Sequence, residues 1–300
     1  MREGLAMLVV HQRTARRRAR AAAVAEALAL LHDLEPSAPA GGPLADRGGV
    51  FWVQLPERHL AVAGARLPRL GYSTAVDLLA GQGQGPAVRW RGHRWRLLRL
   101  HTEDPAGHRE QAPDRREFLV EGADGQVRAV RGYRGDGDAL GRRGLPVCDA
   151  RLLVNLVAPA LPGRLLDPFA GVGGVALEAR VAGWATVTAD CDPALRHGLG
   201  RLGGAHLVAD ARSLPLRAGA VDAVATEPPY DRQVGPLADQ ALAEAYRLLR
   251  PGGATAWLCA AWQAAGLRAT ADALGLRVAL DTPVDRKGLE VVVLAWRKPG

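Results

Sequence analysis

The stretch LLDPFAGVGG, Leu165 to Gly174, decides how the C-terminal half of this chain is read. Two leucines run into Asp167, then Gly171, Gly173 and Gly174 precede VALEA, a run of helix formers. Glycines at such a junction permit a tight turn and let the main chain approach a ligand closely. An acidic residue at the carboxyl end of a strand faces the crevice in which open α/β sheets bind their ligands.

The same rhythm continues outward. RLLDPF, ATVTAD, HLVAD, VDAVAT, ATAWLCA, RVALDTPV and LEVVVLAWR read as short apolar strands. DARLLVNLVAP, VGGVALEARVAG, LADQALAEAYRLL and QAAGLRATADALG read as helices, with Asp149 a candidate N-cap, Gly183 a stop and Pro251 a breaker. Alternating strands and helices predict an α/β fold, a doubly wound, mostly parallel seven-stranded sheet of Rossmann-like type covered on both faces. The last two strands are joined only by DRKG, so they pair antiparallel. One antiparallel strand in an otherwise parallel sheet separates the pattern from a plain dinucleotide-binding fold.

Acidic residues recur at the strand ends. Asp190 lies 23 residues after Asp167, close to the spacing of about 20 at which a carboxylate takes a ribose diol. Asp192 is the alternative for that role, and Asp210 ends the third strand, placed for an adenine amino group. GVGGVA (Gly171 to Ala176) is compatible with a dinucleotide loop, but Asp167 directly before it would repel a pyrophosphate and suits a cationic ligand such as S-adenosylmethionine. TEPPY then decides between them. It follows an apolar strand, and Pro228-Pro229 imposes extended backbone whose carbonyls are withheld from helix bonding. Glu227 and the Pro228 carbonyl are each expected to accept one hydrogen of an exocyclic aromatic amine, holding its lone pair toward a methyl group, with Tyr230 stacked on the base. Glu178, inside the helix after the glycines, is read either as a brace for the loop or as a plain helix-bonded residue.

LLDPFAGVGGVALEA, HLVADARSLPL and VDAVATEPPYDR together resemble the class I S-adenosylmethionine-dependent amino-methyltransferases, most of all the tRNA guanine-N2 methyltransferases often joined to THUMP domains. The resemblance covers about Pro146 to Arg297. It implies cofactor binding by Asp167, Phe169, Gly171, Gly173, Asp190, Asp210 and Ala211. It also implies that Glu227, Pro228, Pro229 and Tyr230 form the motif that holds the amine, with no metal and with RNA, expected to be tRNA, as the substrate. Glu227 departs from the Asp or Asn usual there, lengthening the acceptor by one methylene. A DNA adenine-N6 methylase, a protein-glutamine methylase and a catalytically weak cofactor-binding protein that grips RNA are the competing readings.

The first 140 residues read as a smaller α/β module, and 141–300 as the methyltransferase domain. A basic, alanine-rich helix is expected over Arg13 to Leu34, and a Pro/Gly linker over Pro36 to Gly49. VFWVQL reads as a strand, STAVDLLA (Ser73 to Ala80) as a short helix capped by Ser73, and EFLVEGADGQVRAV as a hairpin turning at Asp124-Gly125. VRWRGHRWRLLRLH alternates Trp and Arg. It reads as a strand with Trp90 and Trp95 on apolar surface, or else as a stacking platform for nucleic acid.

The net charge of +8 invites a polyanionic partner, although only Lys287 and Lys298 are lysines in a chain dominated by Ala, Gly, Arg and Pro. Three cysteines without metal or disulfide spacing fit a reducing cytosol, and the chain is expected to be cytoplasmic. The histidines show no ligand spacing. No apolar run approaches the ~18 residues of a membrane span. The oligomeric state is not legible.

Overall fold

The computed structural model describes residues 4–13, 19–38, 49–81, 85–90, 93–103, 118–130, 144–158, 163–232, 236–286 and 289–300. Most of the basic run after Arg13, the Pro/Gly linker over 39–48 and the connector over 131–143 lie outside them.

The N-terminal part forms an antiparallel sheet of five strands: β1 (Leu5–Gln12), β2 (Val50–Pro56), β3 (Ser73–Ala80), β4 (Ala87–Trp90) and β5 (His93–Thr102), in the order β2-β1-β3-β5-β4. STAVDLLA is therefore a strand, not the expected helix, and Ser73 caps nothing: it is buried opposite Gln12 of β1. Val76 of this strand belongs to the main core, with Leu78 packed against it, whereas Leu79 joins Met7, Val9 and Trp52 on the other face. That period of two, enforced by pairing with β1 and β5, overrides the helix propensity of Ala and Leu. Trp95 of β5 also packs onto the Met7 cluster, and Arg94 and Arg96 beside it are exposed, as the strand reading of the Trp/Arg run requires. The Trp90 side chain lies outside the described residues.

Between β1 and β2 runs helix α1 (Arg20–Leu30), which buries Ala22, Ala23, Glu26, Ala27 and Leu30. Four of the five are apolar, and the small alanines permit close approach to α3 (Val147–Leu156). A further short helix, α2 (Leu60–Arg66), follows β2. The N-cap position of α3 is held by Pro146; Asp149 sits inside its first turn, nearly fully buried, and accepts a hydrogen bond of 2.7 Å from the Tyr72 hydroxyl. The cap expected at Asp149 is thus replaced by a tie between the two parts of the chain.

That tie has neighbours. Glu26 of α1, fully buried, accepts the backbone N–H groups of Gly71 and Tyr72 at 2.7 and 2.9 Å, and the Asn155 amide of α3 at 2.8 Å. One apolar core continues across the junction, from Leu8 and Val10 through Ala23 and Ala27 to Leu152 and Leu153. Gly71 lies where this contact is tightest, because a Cβ there would stand 2.2 Å from the Cys148 carbonyl oxygen. Backbone cannot swing aside as a side chain can, so Gly71→Ala is expected to destabilise the protein by about 1–3 kcal/mol, read as a lowered midpoint in denaturant unfolding.

The C-terminal sheet has seven strands: β8 (Arg164–Asp167), β9 (Ala185–Asp190), β10 (Ala205–Val208), β11 (Val221–Thr226), β12 (Leu249–Ala260), β13 (Arg277–Arg286) and β14 (Leu289–Arg297). Their order is β10-β9-β8-β11-β12-β14-β13, with β14 antiparallel to both neighbours and the other contacts parallel. The predicted pattern is present, single reversed strand included. Both faces are apolar: along β11, Ala223 and Ala225 point into one core and Val221 and Val224 into the other. The helices are α4 (Gly174–Val181), α5 (Arg196–Arg201), α6 (Leu237–Leu248) and α7 (Ala264–Ala273). Glu178 of α4 is ion-paired with Arg151 of α3 at 2.9 Å, so it braces helix against helix.

The predicted hairpin is β6 (Phe118–Glu121) and β7 (Val127–Val130), with Gly125 of its turn at a positive φ of 74°. Phe118 and Val120 pack with Leu195 and Leu199, beside α5, and with Val172 and Leu177. We propose that the two units divide at residues 140/141, the hairpin being an arm of the first laid on the second.

Candidate active site

Asp167 ends β8 and is almost entirely buried. Its Oδ1 accepts the Thr226 hydroxyl from the end of β11 at 2.6 Å and the Phe169 N–H at 3.2 Å. Burial pushes this carboxyl up to about 7, against those hydrogen bonds, which favour its charged form. The glycine turn follows. Gly171 and Gly173 have φ of 51° and 81°, the left-handed region that glycine adopts without strain. A Cβ at Gly171 would meet nothing within 4 Å, whereas one at Gly173 would run into Leu202.

Asp190 closes the loop from β9. Its Oδ2 accepts the Gly171 N–H at 2.8 Å and its Oδ1 the Asp192 N–H at 2.9 Å. Each carboxylate oxygen has a second acceptor site, so these bonds orient Asp190 without exhausting it. Asp192 is used differently: it accepts the Ala194 N–H and caps the turn over 193–195. Asp210 is half-exposed and paired with Arg212 at 2.6 Å, which holds its carboxyl below the usual range.

These groups line a cavity of about 930 Å³ at the carboxyl edge of the sheet, near the upper end of the ~300–1,000 Å³ common for ligand pockets. Asp167, Phe169, Gly171, Asp190, Asp210 and Ala211 form one part of it, and Glu227, Pro228, Pro229 and Tyr230 another. Gly173 does not line it; that glycine turns the chain into α4. Asp192 does not line it either, which leaves Asp190 as the carboxylate of that pair facing the cavity.

The second part contains a residue that the sequence reading missed. Arg286, at the end of β13, pairs with Glu227 Oε1 and donates to the Tyr230 hydroxyl at 3.0 Å. Tyr230 in turn donates to Glu227 Oε1 at 2.5 Å. Burial raises the proton affinity of Glu227, and the Arg286 charge opposes the rise. Tyr230 is pushed up, by burial and then by the Glu227 charge, so it stays a donor. Both donors converge on Oε1. Among the described residues, Glu227 Oε2 and the Pro228 carbonyl have no partner. The Pro229 carbonyl, by contrast, accepts the Gln263 amide at 2.9 Å, which fixes the loop to the end of β12. No local signal marks Arg286 or Gln263, since each meets the loop only through the fold. Thr226 stands inside the quoted motif, and its hydroxyl at a strand end was the available clue.

The order of strands, the acidic ends and the cavity agree with what comparison finds. Residues 166–257 match the family described as methyltransferase domain. The C-terminal sheet has the Rossmann-like fold of class I methyltransferases. Across 88 residues the chain is 40% identical to the tRNA (guanine(10)-N2)-dimethyltransferase of Methanothermobacter thermautotrophicus, a match over 27% of this chain and 26% of that protein. The matched part is thus about a quarter of that relative's length. The crystal structure of TrmN from Thermus thermophilus is similar over 98% of this chain and 99% of that one, with a TM-score of 0.51 and 21% identity. The likeness in fold therefore extends across the five-stranded sheet as well as the methyltransferase domain. The cofactor of such a domain is S-adenosylmethionine, and the donor set suits it. Asp210 and Glu227 are paired with Arg212 and Arg286, but among the described residues Asp167 and Asp190 have no ion-pair partner and fit an ammonium group and hydroxyls, while Phe169 and Ala211 offer apolar wall.

Proposed function

We propose that this chain is an S-adenosylmethionine-dependent methyltransferase acting on an exocyclic amine of a nucleobase, guanine N2 in a tRNA. The observation that carries the reading is the placement of Glu227-Pro228-Pro229-Tyr230 in one cavity with Asp167, Asp190 and Asp210. The partial match to a tRNA guanine-N2 enzyme supports the base and the RNA class. The net charge of +8 suits a polyanion.

When bound, S-adenosylmethionine supplies a methyl group activated on sulfonium sulfur. Asp190 would accept the ribose hydroxyls on its remaining lone pairs, Asp210 and Ala211 would hold the adenine, and Asp167 with the Gly171 turn would hold the amino acid end. Glu227 Oε2 and the Pro228 carbonyl accept the two hydrogens of the target amine, which points the nitrogen lone pair away from the ring plane. Tyr230 supports the base and keeps Glu227 Oε1 in place. Transfer of the methyl would break its bond to sulfur, leave a neutral thioether and make the nitrogen cationic, and Glu227 is placed to take the proton that the nitrogen then loses. The work of the site is positioning, since holding reactants in line contributes about 7–11 kcal/mol in well-oriented systems. The setting is the reducing cytosol.

The test incubates the protein with labelled S-adenosylmethionine and separate pools of unmodified tRNA, rRNA and DNA, followed by nucleoside digestion and mass spectrometry. Label is expected in N2-methylguanosine from tRNA. Label in N6-methyladenine would move the reading to an adenine methylase, and no label despite cofactor binding would sink the enzymatic reading. Asp190→Ala is expected to weaken cofactor binding roughly tenfold, the loss of about one charged hydrogen bond, measured by calorimetry; unchanged affinity would remove Asp190 from the ribose site.

A further inference from the structure

Resting on the reading that the target is a purine amine, we infer that Arg286 and Glu227 act together as a reader of the guanine Watson–Crick edge. That edge carries, in a row, the N2 amine, the N1–H and the O6 carbonyl: donor, donor, acceptor. The cavity wall offers the complement. The Pro228 carbonyl and Glu227 are acceptors, and Arg286 is a donor fixed beside Glu227 by the Nη1 bonds to Glu227 Oε1 and the Tyr230 hydroxyl. A guanidinium has five N–H donors in a rigid fork, so two bonds from Nη1 leave others for O6.

The arrangement answers why glutamate stands where a shorter residue is usual. A carboxylate that only held an amine would not need a cation against it. Here burial opposes the ionised form of Glu227, and the Arg286 charge beside it works against that burial. An ionised Glu227 accepts N1–H from guanine but faces the bare N1 lone pair of adenine, which repels it. The side chains of the pair are about one-fifth exposed, so the mismatch is felt with little solvent screening. Arg286 reaches this point because β14 runs antiparallel. The end of β13 and the start of β14 therefore lie at the carboxyl edge of the parallel strands, where Arg286 and Leu289 line the cavity.

The experiment first maps the nucleotide methylated by the wild-type protein, then uses synthetic RNAs carrying guanosine, 2,6-diaminopurine or 2-aminopurine riboside at that position. All three keep the 2-amine; the last two lack O6 and N1–H. Wild type is expected to prefer guanosine by ~10³-fold or more in kcat/KM, as sites built to bond a polar group reject analogues lacking it. Arg286→Met is expected to lower all rates but compress the ratio to about tenfold or less, and Arg286→Lys, which keeps the charge on Glu227 without the fork, to give an intermediate ratio. The ratio within each variant is insensitive to a general loss of folding. Equal use of the three bases by wild type, or an unchanged ratio in Arg286→Lys and Arg286→Met, would overturn the inference alone. No transfer to any base by cofactor-loaded wild type would overturn the amine reading and the inference with it.

Discussion

Glu227→Ala is expected to reduce methyl transfer to unmodified tRNA by roughly 10²–10³-fold in kcat, the scale seen when one preorganised polar contact is lost from a reacting centre. Cofactor affinity should be unchanged, because Glu227 shares the cavity with the cofactor residues but makes none of their contacts. The alanine leaves Arg286 charged in a mostly buried position, so its fold is to be checked by thermal melting. Glu227→Gln keeps the length and shape and should still fall by about 100-fold in single-turnover rate. Glu227→Asp separates two readings of the unusual residue. It withdraws the acceptor by about 1 Å, a misplacement that costs ~10²-fold where the site is tuned for glutamate. A rise in turnover with aspartate would instead mark the natural site as a weakened one, and the protein as a binder of cofactor and RNA more than a catalyst.

The second large effect concerns stability. Glu26→Ala removes the acceptor for three donors, the N–H groups of Gly71 and Tyr72 and the Asn155 amide. Leaving a buried donor without its acceptor costs about 1–3 kcal/mol, and here three lose theirs together. The cost depends on pH with a definite sign. Burial raises the Glu26 carboxyl from 4.5 to about 7, so between those values the folded protein binds more protons than the unfolded chain. Its contribution is therefore fullest below pH 4.5 and declines as pH rises through 7, by about 3 kcal/mol for a shift of this size. The alanine variant lacks that decline, so the gap between the two proteins in urea unfolding should be widest near pH 4 and narrower at pH 8. A gap that does not vary with pH would mean that Glu26 titrates alike in both states.

Much of the C-terminal sheet was legible because its strands are short apolar runs closed by glycine, proline or aspartate, and because strands buried on both faces carry no competing helical period. The acidic ends of β8, β9 and the segment after β10 fell where sheet topology puts ligands, and the cavity gathers them. β3 was not legible: TAVDLLA suits either period, and only its place between β1 and β5 decides. The same holds for Asp149, whose position before a helix looks like a cap until Tyr72, 77 residues earlier, reaches its carboxylate. Arg286 and Glu227 are 59 residues apart, and Asn155 and Glu26 are 129 apart. Pairings at such distances are created by the fold and leave no local period or spacing to read.

The reversed strand β14 divides the labour of the domain along the chain. The first three strands of its sheet, β8 to β10, and the turns after them supply the wall with Asp167, Asp190 and Asp210; the wall with Glu227 and Arg286 comes from the ends of β11 and β13. Arg286 bonds Glu227 and Tyr230 and, among the described residues, none of the three carboxylates, so the side chain at the end of β13 can change without disturbing the glycine loop. Substrate choice in this architecture can drift over evolutionary time at the ends of β11 and β13 while the cofactor wall stays the same.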